Sequence, residues 1–155
     1  MIRAESSITI DAPIERVWAA MIDAPGYGAW NPFIVRVDAP RPTLAVGDDI
    51  VLHVRWEDGG AFASPERVVQ VDAPAAQGDV TRAALAYRFT GWIARLGLVR
   101  ATRVQTLEQP PGGPTRYHTE ETFRGAFAPF VPLARVRAGF RRHAEALKVR
   151  AESEG

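Results

Sequence analysis

Residues 129–150 carry the longest helical pattern in the chain, and it constrains every other segment. Leu133, Val136, Phe140, Ala144 and Leu147 recur at spacings of three and four, while Arg135, Arg141, Arg142, Glu145 and Lys148 occupy the opposite face. Pro129 and Pro132 fall in the first turn, where the missing N–H of proline is tolerated. The pattern predicts one amphipathic helix of about five turns. A lone helix of that length buries its apolar stripe only against another layer. Nearly all of residues 31–127 reads as strand, so that layer is a sheet. Whether helix and sheet enclose a solid core or a ligand cavity is the functional question.

The rest of the chain supports that reading. Residues 6–10 alternate as a short strand with Ile8 and Ile10 on one face. Ile14, Val17, Trp18, Met21 and Ile22 then follow a helical template, with Pro13 at its start and Pro25, Gly26 and Gly28 ending it. An aromatic corner at residues 27–33 leads into a strand over residues 33–37. Beyond Gly47, Ile50, Leu52, Val54 and Trp56 share a strand face, and Asp58, Gly59 and Gly60 form a hairpin turn. The return strand is expected over residues 62–71, with a loop at 72–79. Leu85, Tyr87 and Phe89 mark the next strand, and a loop at 91–97 follows. Strands over 98–108 and 115–127 pair across the turn at 110–114. The order strand, helix pair, about six to seven strands, long helix is α+β with an antiparallel sheet.

Composition excludes several classes of function. A length of 155 residues suits one domain, 1–155, with a real core. Nineteen Lys and Arg against 18 Asp and Glu leave no basic excess for a nucleic-acid partner. The absence of cysteine removes disulfides, thiol chemistry and Cys-ligated zinc. No run approaches membrane-spanning length and the N-terminus lacks a secretion pattern, so a cytoplasmic protein without stable membrane insertion is expected. No phosphate-cradling glycine loop, Ser–His–Asp order or metal-ligand spacing occurs, and no cofactor or metal is expected.

The last hairpin is the most informative stretch. A turn centred near Gly112 pairs residues whose numbers sum to about 224: Leu107 with Tyr117, Gln105 with Thr119, Arg103 with Glu121 and Ala101 with Phe123. Leu107, Tyr117 and Phe123 mark this as the inner face, so Arg103 and Glu121 are expected to point inward, opposite each other. Two readings fit such a pair. One is an ion pair that fixes sheet and helix. The other is a polar anchor for a ligand, with Arg103 donating to a carboxylate or carbonyl. Beside an arginine, Glu121 is expected to stay ionised. His53 and His118 lie on polar strand faces. His143, at the edge of the long helix's stripe, is expected to pack and bond to a neighbour rather than to act as a base. Asp48 and Asp49 serve the turn after Gly47. Trp18 belongs to the core, and Trp92 stands in an apolar loop that forms a pocket entrance or packs on the last helix.

Particular words add a resemblance. IDAPIERVW at residues 10–18, WNPF at 30–33, VGD at 46–48, ETFRG at 121–125 and the pair Leu147 and Lys148 resemble the START-like superfamily, also called the SRPBCC or Bet v 1-like helix-grip fold. The nearest likeness is to its polyketide cyclase/dehydrase branch. The resemblance implies a curved antiparallel sheet gripping the C-terminal helix, an apolar cavity between them, and a corner at Trp30 closing one end. It implies a hydrophobic small molecule as partner, lipid- or polyketide-like. The expected site comprises Trp56, Tyr87, Phe89, Arg103, Gln105, Tyr117, Thr119, Glu121, Phe123, Phe140 and His143. A cyclase or aromatase, and a partner-binding or chaperone-regulating domain, are the alternatives that the resemblance leaves open.

Overall fold

A computed structural model describes residues 1–153 of the chain. Seven strands form one antiparallel sheet: β1 (Ile2–Ile10), β2 (Ile34–Asp38), β3 (Asp49–Arg55), β4 (Ala61–Gln77), β5 (Val80–Phe89), β6 (Arg100–Gln109) and β7 (Thr115–Arg124). Their order across the sheet is β1-β7-β6-β5-β4-β3-β2. After β1 come two short helices, α1 (Ile14–Ile22) and α2 (Tyr27–Trp30). A third, α3 (Trp92–Arg95), bridges β5 and β6, and α4 (Leu133–Ser153) closes the chain. The sheet curls around α4, so the expected α+β grip is the observed fold. Among the described residues no helix is long and apolar enough to cross a membrane.

Alternation sets which side chains face the helix. Ile50, Leu52 and Val54 of β3, Leu85 and Tyr87 of β5, and Ala101, Leu107, Tyr117 and Phe123 of the last hairpin are all buried. From α4, Val136, Phe140, His143, Ala144 and Leu147 turn toward them, with Gly139 among them. Gly139 is needed there for space: a Cβ at this position would stand 2.2 Å from the Phe33 ring. A side chain here would hold the helix away from the sheet.

Three boundaries differ from the sequence reading. The long helix starts at Leu133, because Val131 precedes Pro132 and is held extended (φ −64°, ψ 131°). Pro129 falls instead in a separate 3-10 turn, and the Pro132 carbonyl accepts from the Val136 N–H at 3.1 Å. The expected loop at 72–79 is mostly strand. β4 runs on to Gln77, with irregular register between Asp72 and Ala75 placing Pro74 where no ladder donor is needed. β1 begins at Ile2 rather than residue 6, because it pairs along its whole length with β7.

Candidate functional site

The last hairpin has the register expected from its turn: Leu107 faces Tyr117, Gln105 faces Thr119, Arg103 faces Glu121 and Ala101 faces Phe123. Arg103 is 3% exposed. Yet no ion pair joins it to Glu121 among the described residues. Its guanidinium is held by neutral groups instead. Nε donates to Thr119 Oγ1 at 2.9 Å, Nη1 to the Tyr87 hydroxyl at 2.9 Å, and Nη2 to the Tyr117 hydroxyl at 3.4 Å. Tyr117 donates in turn to Gln105 Oε1 at 2.7 Å. Its ring centroid lies 5.9 Å from that of His143, the two rings stacked within 5° of parallel. The expected cross-strand ion pair is therefore replaced by a hydroxyl cradle. A guanidinium offers five N–H donors, so two remain for whatever else reaches it. Burial pulls its pKa down, but Tyr87, Tyr117 and Glu121 around it outweigh this, and Arg103 remains a cation.

In front of this cradle lies a cavity of about 440 Å3. Arg103, Glu121, Glu66, Ser64 and Tyr87 line its polar end, while Phe33, Trp56, Phe89, Phe123 and Phe140 are among its apolar walls. It is bounded toward solvent by Phe62, Ile93, Phe127, Phe130 and Val131. Seven of the eleven residues expected at a site line this space: Trp56, Tyr87, Phe89, Arg103, Glu121, Phe123 and Phe140. Gln105, Tyr117, Thr119 and His143 stand behind it and touch the cradle instead. Trp30, expected to close one end, packs on His143 at a centroid distance of 5.6 Å and does not line the space. Trp92 points to solvent, 70% exposed, although its neighbour Ile93 does reach the mouth.

Glu66 is the charged residue of the polar end that the sequence reading missed, together with Ser64. It is 6% exposed, and its Oε1 accepts from the Ser64 hydroxyl at 2.8 Å. Burial is the main force on both cavity carboxyls. Glu66 is pushed up to about 8, by burial and then by the neighbouring Glu121, against the smaller pull of Ser64 and Arg103. Glu121 is pushed up to about 7, burial outweighing Arg103. The expectation that Glu121 stays ionised beside an arginine is thus corrected: desolvation of the carboxyl outweighs the pull of Arg103, which makes no ion pair with it. Both acids are thus held well above the ordinary carboxylate range. Tyr87 accepts from Arg103 and, at 3.5 Å, from Gln105 Nε2, which leaves its own proton free for the cavity that it lines.

His143 is fully buried, inside the helix stripe rather than at its edge. Asn31 Oδ1 accepts from the Phe33 and Ile34 amides, both at 2.9 Å, which fixes its Nδ2 as the donor to His143 Nδ1 at 3.0 Å. The ring proton is therefore on Nε2, which has no hydrogen-bond partner among the described residues. Burial, then Arg103, holds the pKa of His143 well below its ordinary value, so the ring stays neutral. On the outer face Glu5, His118 and Glu120 bring potential ligand atoms within 4.8 Å of one another, a trio that linear spacing does not reveal. Arg3 pairs with Glu120 at 3.2 Å and Ser7 with His118 Nδ1 at 2.6 Å, as a solvated face satisfies itself.

Comparison with known proteins follows this geometry. The profile of the family described as polyketide cyclase / dehydrase and lipid transport matches residues 1–152. The chain belongs to that family. As a polyketide cyclase / dehydrase and lipid transport member it shares its fold with several solved structures. The Zhui aromatase/cyclase from Streptomyces sp. R1128 aligns at TM-score 0.73 and 19% identity, over 99% of this chain and 94% of that one. Ginseng major latex-like protein 151 from Panax ginseng aligns at TM-score 0.73 and 10% identity, over 97% of each chain. The di-domain ARO/CYC BexL of the BE-7585A biosynthetic pathway aligns at TM-score 0.70 and 16% identity, over 97% of this chain but 50% of that one. This family member thus spans half the length of the di-domain protein. At such identities the likeness establishes the fold alone. No curated protein matches the sequence.

Proposed function

We propose that the protein binds an apolar or aromatic small molecule, lipid- or polyketide-like, between the sheet and α4. The observation that carries this reading is the cavity of about 440 Å3, apolar along its walls and polar at one end. Its size lies within the range of about 300–1,000 Å3 typical of small-molecule sites, which combine apolar lining with a few convergent polar groups. The two remaining donors of Arg103 and the Tyr87 hydroxyl fit a carboxylate or carbonyl at the inner end of the ligand. Trp56, Phe89, Phe123 and Phe140 fit an aromatic or aliphatic body. Gln105, Tyr117, Thr119 and His143 support the anchor from behind. The family description and the two aromatase/cyclase structures are consistent with this chemistry. Thermal shift with a panel of fatty, sterol-like and polycyclic ligands, beside native mass spectrometry of protein purified from cells, tests it. A stabilising ligand or a retained mass is expected. Protein that emerges empty and responds to none of the panel rejects the reading.

One observation favours a second reading, a cyclase- or aromatase-type enzyme. Glu66 and Glu121, at about 8 and about 7, sit where a general acid or base works best at neutral pH. In that reading a cavity carboxyl moves a proton on a folded polyketone while Arg103 and Tyr87 hold the developing oxyanion. Incubation with a short poly-β-ketone thioester tests it by product analysis. Turnover that survives in Glu121→Gln and Glu66→Gln alike removes the carboxyls from the chemistry.

A further inference from the structure

The end of the molecule where the cavity opens has a second character. Two segments meet there: residues 91–99, which include α3, and residues 125–132, between β7 and α4. They are joined by the Phe127 N–H, which donates to the Leu98 carbonyl at 3.0 Å, and by Gly125, whose positive φ of 110° lets it lie against the Leu98 backbone. From these tight turns Trp92, Leu96 and Phe130 project at 70%, 65% and 81% exposure. Phe130 packs edge-on against the half-exposed Phe127, their ring centroids 6.1 Å apart.

Beside them, on the outer face of the same strands, arginines are gathered against their mutual repulsion. Arg67 faces Arg88 directly across β4 and β5, and Arg100 faces Arg124 across β6 and β7. Like charges directly opposite each other destabilise a sheet. Arg95 of α3 joins them around a groove of about 750 Å3 that also presents Thr90, Thr102 and Thr122. Asp49 compensates Arg67 at 2.8 Å. Among the described residues no carboxylate lies within ion-pair distance of Arg88, Arg95, Arg100 or Arg124, although Asp49 also attracts Arg95 at longer range. Phe89 lines both the groove and the cavity, so the two spaces are separated by little more than the end of β5.

We propose that this end docks on the surface of an anionic lipid bilayer, Trp92, Leu96 and Phe130 entering the headgroup layer while Arg95, Arg100 and Arg124 meet lipid phosphates. Tryptophan and phenylalanine tips flanked by arginine match the chemistry of a membrane interface. An acidic protein surface would satisfy the arginines but give the exposed Trp92, Leu96 and Phe130 no apolar layer to enter. Docking of this kind is peripheral and sets the cavity mouth against the lipid. It stands whether or not the cavity is a ligand site, because its arginines lie on the outer face and its apolar groups, Phe130 at the mouth included, are exposed.

Flotation of the purified protein with vesicles, no cavity ligand present, tests it. Binding to vesicles of equal parts phosphatidylcholine and phosphatidylglycerol, but not to phosphatidylcholine alone, is expected, and it weakens with added salt. Each arginine near an anionic leaflet contributes about fivefold in affinity, so Arg95→Glu with Arg100→Glu reduces binding by at least about twenty-five-fold. Trp92→Ala with Phe130→Ser reduces it with the salt dependence intact. Equal binding to both vesicle types, binding to neither, or undiminished binding by the arginine variant overturns the proposal. So does tight binding of a poly-glutamate peptide in the absence of vesicle binding, which assigns the face to an acidic protein. The comparison of vesicle types needs no variant, so it decides even if a substitution harms folding.

Discussion

The guanidinium carbon of Arg103 lies 4.2 Å from the centre of the Phe140 ring. One residue comes from β6 and the other from α4, so this contact ties the gripped helix to the polar end of the cavity. An ion over an aromatic face in a dry site is worth about 2 kcal/mol, to which the aromatic packing adds. Phe140→Leu is therefore expected to cost about 2–3 kcal/mol in chemical denaturation. In an Arg103→Leu background the same change costs distinctly less, because the shared contact is already gone. Strict additivity would show that the ring and the ion do not interact.

Arg103→Leu alone separates anchoring from folding. It strips the Thr119, Tyr87 and Tyr117 oxygens of their common donor, at a cost of about 2–4 kcal/mol. For binding, the informative comparison is a fatty acid against its methyl ester. The wild type is expected to prefer the acid at pH values where the acid is ionised and Glu66 still holds its proton, and the variant to lose that preference. A preference unchanged by the substitution would remove Arg103 as the ligand's anchor.

Glu66 gives a pH signature. Its folded pKa of about 8 lies above the ordinary 4.5, so the folded state holds a proton that the unfolded chain has released. Stability from this group is complete below about 4.5 and is lost as pH rises toward about 8. His143 acts oppositely: its pKa is depressed, so it weakens the fold as pH falls below about 6.5, where the unfolded imidazole gains a proton. The difference between wild type and Glu66→Gln cancels the histidine. That difference is expected to move in favour of the variant by on the order of 3 kcal/mol between about pH 5 and about pH 9. Parallel stability curves across this interval would mean that Glu66 is ionised in the fold.

Gly139→Ala opposes two effects. Alanine gains about 1 kcal/mol of helix propensity, but its Cβ would stand 2.2 Å from the Phe33 ring. Overpacking is expected to prevail, with a net loss of about 1–3 kcal/mol. Since Phe33 lines the cavity, ligands that fill it should weaken too. Phe33→Leu is expected to recover most of the loss in the double variant. A more stable Gly139→Ala single variant would refute the tight seat.

How much of this was readable beforehand depends on the range of the forces involved. The pairing of Arg103 with Glu121 follows from one turn and the two-residue period of strands, so local sequence sufficed. The bonding of Arg103 did not, because its partner Tyr87 lies on another strand and the choice of hydroxyl over carboxylate is made in three dimensions. Glu66 was hidden by its company: Ser64, Pro65, Glu66 and Arg67 lie in the expected return strand, but none of them is an apolar residue that marks an inner face. Parity with the buried Val68 carried the signal, since it turns Ser64 and Glu66 inward together. The raised carboxyl values depend on how much water the whole cavity excludes, and no short segment encodes that. Residues 72–77 lack an alternating pattern and became strand only because β5 supplied a partner.

The pairing of β1 with β7 also has a consequence in time. Strands β2 to β7 each neighbour the next in the chain, so that meander can zip progressively as it emerges during synthesis. β1 cannot join it until residues 115–124 exist, and its edge waits unpaired while β2 to β6 are made. Closing so long a loop late is slow relative to hairpin formation. The first strand made is thus among the last to be placed, and a destabilised variant should expose that edge to other chains before any other part of the sheet.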